Sequence, residues 1–269
     1  MKKKISLSDF VICIKGGGDI ASGVAWRLYQ CGFRVYIIEI ERPMAVRRKV
    51  AFCEAVYDGK AVVEGVEAAL VNSPCEIPDV WGRGMIPVII DPENNSRHET
   101  SPDILIDATI AKRNTGTSIN HAPLVIALGP GFVAGRDAHL VIETNRGHNL
   151  GRVVAEGSAE PDTGVPGPVE GITSDRVLRS PADGIFNNTM DIGASVKKGD
   201  TVGFVNEMPV KTLIGGVLRG LVRPGISVSK GLKIGDVDPR GKTEYCFTIS
   251  EKALAIAGGV LEGILRSFT

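Results

Sequence analysis

The chain has 269 residues, is 43% apolar, and carries 31 basic against 31 acidic side chains. That apolar fraction can bury a sizeable core, and the length suits two modest domains better than one large one. Balanced charge leaves no overall field for nucleic acid or an anionic membrane, so any anion site must be local.

The start, MKKKISLSDF, has the basic residues of a signal peptide, but Asp9 interrupts it and the apolar run that follows leads into glycines. No apolar stretch approaches the ~20 residues that a membrane crossing needs. The expectation is a cytoplasmic protein. Val11 to Ile14 then reads as a parallel strand covered on both faces. The glycines follow at once, and Gly16, Gly18 and Ala21 fit G-x-G-x-x-[G/A]. The first permits a tight turn, the second lets phosphate approach the backbone, and the third is small for helix-on-strand contact.

A helix runs from Ile20, with Ala21, Val24, Ala25 and Leu28 on one face, until Gly32 ends it. The next strand, Val35 to Ile38, ends in Glu39, where a carboxylate would accept from the hydroxyls of an adenosine ribose. Glu39 suits NAD or FAD. Arg42, Arg47 and Arg48 follow, as holders of a 2′-phosphate or as a solvated helix face. The loop Gly16, Gly17, Gly18 and Asp19 is thus a candidate phosphate cradle; the alternative is a strand-to-helix turn that binds nothing.

Further strand-like runs are Met85 to Asp91, Asp103 to Ile110, Pro123 to Gly129 and His139 to Thr144. Polar groups gather where the last three stop: Asp107, Lys112, Arg113 and Asn114, then Gly129 to Phe132, then Glu143 to His148. In an open α/β sheet these ends form the ligand crevice. Lys112, Arg113, Arg146 and His148 supply polar and charged side chains there, and Gly129 and Gly131 expose amides that can form a nest.

No nucleophile, base and orienting acid stand in a recognisable motif, so catalysis stays open. Four scattered histidines and five cysteines without a C-x-x-C pair give neither a metal site nor a disulfide framework. Cys13 and Cys31 read as buried, and Cys246 is the thiol to test for reactivity.

From Ser158 to Gly171 the composition is that of a linker. Beyond it, GIFNNTMDIGASVKKGDTVGFV (Gly184 to Val205) and GVLRGLVRPGISVSKGLKIGDV (Gly216 to Val237) match at an offset of 32 residues. Two such units can close a small two-fold sandwich. The pattern resembles the biotinyl/lipoyl carrier fold. The connection NEMPVKTLIG, Asn206 to Gly215, lacks the carrier lysine at its tip, because Lys211 is displaced toward the next strand. A docking or lid module is the reading that remains.

A last helix, capped by Ser250, has a broad apolar face from Ala253 to Leu265. It should bury against the sheet domain or pair with another copy. The expected organisation is therefore a Rossmann-like parallel sheet domain (residues 1–175), a biotinyl/lipoyl-like β barrel-sandwich (176–245) and a C-terminal helix (246–269).

Several blocks together, among them GGGDIASGVAWRLYQCGFRV, DATIAKRNTGTSINHAPLVIALGPGF, VIETNRGHNLGRVV and ISEKALAIAGGVLEGIL, resemble the selenium-dependent molybdenum hydroxylase accessory (YqeB-like) family. The resemblance implies a maturation factor for a molybdenum hydroxylase apoenzyme, with molybdenum cofactor as its ligand. In its dinucleotide form that cofactor offers a pyrophosphate to the glycine loop and a pterin phosphate to the other loops. Two alternatives stand beside it: an NAD- or FAD-dependent oxidoreductase acting on a sulfur or selenium intermediate, and a non-catalytic interaction module.

Overall fold

The computed structural model describes residues 6–268, so the basic start at residues 1–5 lies outside the described residues. The chain forms two compact units. One comprises Met1–Pro43, Ala51–Thr163 and Ile249–Thr269; the other comprises Met44–Val50 and Gly164–Thr248. The sequence places its boundaries at 175 and 245 instead. The difference has local causes: Val169 and Ile172 bond each other's backbone, and Arg176 donates to Gly167 O, which folds the supposed linker onto the β-rich unit.

The first unit is built on nine strands: β1 (Val11–Lys15), β2 (Arg34–Glu39), β3 (Lys60–Val63), β4 (Val66–Val71), β5 (Ile86–Ile90), β6 (Ile104–Asp107), β7 (Leu124–Leu128), β8 (Leu140–Ile142) and β9 (Val153–Val154). Their order across the sheet is β3-β4-β5-β2-β1-β6-β7-β8-β9. All neighbours from β4 to β8 are parallel, and the edge strands β3 and β9 run antiparallel. The apolar runs ICI, ILI and LVIAL are buried throughout, as strands covered on both faces require. The sequence reading lacked the β3–β4 hairpin, whose Glu64 and Gly65 both take positive φ in the turn.

Among the described residues, five α-helices accompany the strands: α1 (Asp19–Gln30), α2 (Ala55–Asp58), α3 (Ile77–Gly82), α4 (Arg97–Thr100) and α5 (Glu251–Phe268). Helices α1 and α5 pack together through small residues. A Cβ at Gly23 would lie 2.7 Å from that of Ala253, and one at Gly259 would collide with the carbonyl of Gly151. Ser250 Oγ accepts from Ala253 N and caps α5.

The second unit holds β10 (Val177–Arg179), β11 (Gly184–Asn188), β12 (Ser195–Val196), β13 (Thr201–Val205), β14 (Met208–Lys211), β15 (Gly216–Leu221), β16 (Ser227–Val228) and β17 (Lys233–Asp238). They form two antiparallel sheets, β10-β17-β15-β12 and β14-β13-β11-β16. Exchanging β10 with β14, β11 with β15, β12 with β16 and β13 with β17 turns one order into the other. The halves interlock: Val196 pairs with Gly216, and Val228 with Gly184. Each short strand thus completes the other half's sheet, so neither half closes alone.

The segment taken as a connection, Asn206 to Gly215, contains β14 and is the start of the second half. Asn206, at φ +52°, makes the actual turn. The chain is therefore an α/β protein, with a large, mostly parallel sheet and two smaller antiparallel ones.

Candidate functional site

Between β1 and β6 the direction of strand addition reverses, since β2 and β5 lie to one side and β7 and β8 to the other. A crevice opens at such a switch point, outside the carboxyl ends of the strands. The glycine loop occupies that place. Gly16 has φ +94°, and a Cβ there would lie 3.2 Å from Thr109 Cα, so both conformation and space call for glycine. Gly17 packs on Cys53, whose N–H donates to Gly17 O at 2.9 Å. Ser22, fully buried, donates to the same carbonyl and accepts from Phe52 N.

Gly18 differs from its two neighbours. It stands at the N-cap of α1, and a Cβ there would meet nothing within 4 Å. The loop thus turns its open side outward at the start of a 12-residue helix, whose first-turn amides favour an anion. Asp19 follows in that first turn.

Glu39 braces the loop. Its Oε2 accepts from Gly17 N at 2.7 Å and its Oε1 from Ile40 N at 2.8 Å. Burial pushes its carboxyl above the usual range, while those two backbone bonds pull the other way. Each oxygen keeps a second lone pair, which is what a ribose hydroxyl would use.

Sequence reasoning missed Lys15. It is the register partner of Asp107 across β1 and β6, with Nζ 3.7 Å from Oδ2. Asp107 is wholly buried and accepts from Thr109 Oγ1 at 2.7 Å and Thr117 Oγ1 at 2.5 Å. Lys15 Nζ also donates to Thr115 O at 3.0 Å, which fixes the ammonium against the loop that follows β6. Its signal was a lysine closing an otherwise apolar strand directly before the motif.

The remaining candidates line the next strand ends. Gly129 has φ +79° and lies against Thr144. Gly131, at φ +104°, sits so close to the backbone of Arg113 that a Cβ would come within 2.5 Å of it. These glycines seat one loop on its neighbours. Lys112 pairs with Asp162 at 2.8 Å, and Arg146 pairs with Glu251 at the start of α5. Arg113 and His148 are exposed. The loops after β6, β7 and β8 adjoin, but carboxylates already engage two of the cations that the sequence reading assigned to them.

Two assignments need correction. Arg47 and Arg48 hold neither a 2′-phosphate nor a solvated helix face, because their segment belongs to the second unit. Arg47 Nη2 donates to the carbonyls of Tyr245 and Thr248, and Arg48 bonds Leu221 O and Asp191. Cys246 is buried against Leu218 O, and desolvation raises its thiol pKa, so it does not fit a reactive role. The exposed thiol is Cys75, beside Ser73.

Among the described residues, no group of three or more His, Cys, Asp or Glu is arranged to hold a metal ion. No helix among them is long and apolar enough to cross a membrane.

No family model matches the chain. Among solved structures it is similar to the product-bound ectoine utilization protein EutE (DoeB) from Ruegeria pomeroyi, at 22% identity over 31% of this chain and 27% of that one, with a TM-score of 0.22. It is also similar to TcdA (CsdL), at 12% identity over 97% of this chain and 88% of that one, with a TM-score of 0.35. Likenesses this faint carry no functional inference. In sequence, the chain is 49% identical over 255 residues to "Uncharacterized protein YqeB" of Escherichia coli (strain K12), a match that spans 95% of this chain and about half (47%) of that relative. This homology supports a YqeB-like family for the chain.

Proposed function

We propose that the chain grips the phosphate of a nucleotide-bearing ligand at its glycine loop, as an accessory protein in the maturation of a molybdenum hydroxylase. Molybdenum cofactor in its dinucleotide form is the ligand this reading favours. One observation carries the binding part: Gly18 opens onto free space at the start of α1, at the sheet's switch point. The order β5-β2-β1-β6-β7-β8 supports a Rossmann-like reading of the sheet, and the interlocked repeat supports a biotinyl/lipoyl-like reading of the β unit.

The residues present fit the phosphate and ribose of such a ligand. The first-turn amides of α1 would hold phosphate oxygens, and the spare lone pairs of Glu39 would hold ribose hydroxyls. The bound cofactor would supply the metal and its redox chemistry. The chain's own part is to bind and orient it, with the β unit as the docking module for the apoenzyme.

The test is to purify the protein from cells supplied with molybdate, identify any bound small molecule by mass spectrometry, and titrate the protein with NAD, NADP and FAD. A pterin dinucleotide supports the proposal. Tight NAD or FAD binding with turnover would point to an oxidoreductase instead, and no ligand at all to an interaction module. Gly18→Val should abolish ligand binding while leaving the fold intact, since the Cβ site is open. Unchanged binding in that variant would mean that the phosphate is misplaced.

A further inference from the structure

The glycine loop leaves unused a second concave site on the same unit, at the opposite ends of the strands. An open cavity of about 590 Å³ lies where the chain enters β6, β7 and β8, next to Pro102, Pro123 and His139. Three of the protein's four histidines, His98, His121 and His139, line it together with Arg97 and Asn120. They come from three separate segments of the chain. No carboxylate is among the described residues that line it. The neighbouring acids are turned elsewhere: Glu99 lines a different cavity, of about 330 Å³, and Asp103 accepts from Val11 N.

Two of the imidazoles have a fixed tautomer. His139 Nδ1 accepts from Val125 N at 3.0 Å, and His121 Nδ1 accepts from Ser118 N at 3.3 Å. A nitrogen that accepts cannot carry the proton, so each ring keeps its N–H on Nε2 as a donor. Burial and the nearby charge of Arg97 hold His121 below its ordinary pKa, which favours this neutral form. Arg97 spends one arm on Asn94 O and keeps further guanidinium donors.

The cavity therefore presents a guanidinium, two oriented imidazole N–H groups, a third histidine and an amide. That is more donor capacity than the roughly four acceptor sites of one carboxylate would use, and it suits the three terminal oxygens of a phosphate monoester. Ile119, Ala122 and Pro123 add an apolar wall. We infer that this cavity is a binding site for a small organic phosphate monoester, distinct from the glycine loop.

The probes are phenyl phosphate and inorganic phosphate, titrated into the full chain. Imidazole ¹⁵N shifts in NMR and calorimetry supply the readouts. Phenyl phosphate should move the His98, His121 and His139 signals together and bind at least about fivefold more tightly than inorganic phosphate, because of the apolar wall. Arg97→Gln should weaken it about tenfold or more. His121→Asn and His139→Asn should each weaken it about fivefold, since Asn can still accept the backbone N–H but loses the Nε2 donor. Gly18→Val should leave it unchanged.

The proposal is overturned if the wild-type imidazole signals stay still at millimolar phenyl phosphate, a result that needs no variant to fold. It is also overturned if Gly18→Val, rather than the cavity variants, removes binding. Equal affinity for the two probes would overturn the organic part of the assignment.

Discussion

The two halves of the β unit share strands and turns but not their outer faces. Ile185, Asn187 and Phe204 on one sheet are exposed, while the residues 32 positions later on the other, Val217, Arg219 and Asp236, are buried. The difference comes from an added segment rather than from the repeat. Residues Met44–Val50 lie along the second sheet, where Leu221 N donates to Val46 O at 2.7 Å and Arg47 reaches Tyr245 O and Thr248 O. Arg219 also bonds Tyr245 O, and Arg176 pairs with Asp236. The two halves share one pattern, but only the half covered by Met44–Val50 carries buried charge at Arg219 and Asp236.

The largest effect expected from this contrast is at the paired glycines Gly184 and Gly216, at φ +153° and +150°. A Cβ at Gly216 would strike the backbone carbonyl of Asp238, whereas one at Gly184 would strike the side chain of Asn206, which can move aside. Gly216→Ala should cost about 3 kcal/mol or more, and Gly184→Ala about 1–2 kcal/mol. Urea unfolding of the two variants measures the gap. Equal losses would mean that the second half has no extra rigidity.

Arg47→Ala should come next, at about 2–3 kcal/mol, because a buried guanidinium is lost, Thr248 O is left without its charged donor, and Tyr245 O keeps only Arg219. The other half has no counterpart to this loss. Below it stands Gly220→Ala, at about 1–2 kcal/mol, since a Cβ there would come within 2.8 Å of Val46 Cγ1 and 3.0 Å of Val46 O. Its repeat partner is Asn188, whose amide donates to Met190 O, and Asn188→Ala should cost only about 0.5–1 kcal/mol. A Gly220→Ala variant as stable as wild type would show that Met44–Val50 is not seated as described.

Much of this was legible in the sequence wherever glycine had no substitute. Gly193 and Gly225, like Gly199 and Gly231, recur because all four take positive φ at equivalent turns. Strand β14 was hidden, because MPVK shares no visible pattern with its counterpart VLR and Pro209 looks like a turn residue. At the candidate site, the order of strand, glycines, helix and Glu39 could be read along the chain. Lys15 with Asp107 could not, since parallel pairing joins positions that lie far apart in sequence. The arginines after Glu39 misled for a related reason: their partners Tyr245, Thr248 and Leu221 come almost at the chain's other end.

The smallest predicted effect separates Asn206 from its repeat partner Asp238 by pH. Burial alone would raise the Asp238 carboxyl. The side-chain and backbone bonds from Arg240, with the charges of Arg240 and Arg219, outweigh burial and hold it below its ordinary value of 3.8. A carboxyl depressed in the folded state contributes stability above its unfolded pKa and loses it as pH falls through the folded one. The wild-type β unit should therefore lose this contribution progressively as the medium is acidified below the ordinary carboxylate range. Asp238→Asn, which restores the residue found in the other half, should lower stability at neutral pH, where Arg219 loses a partner, and flatten the acid limb of the profile. Unfolding free energies of both forms across acidic pH decide the matter: parallel curves would place the acid sensitivity on other carboxylates.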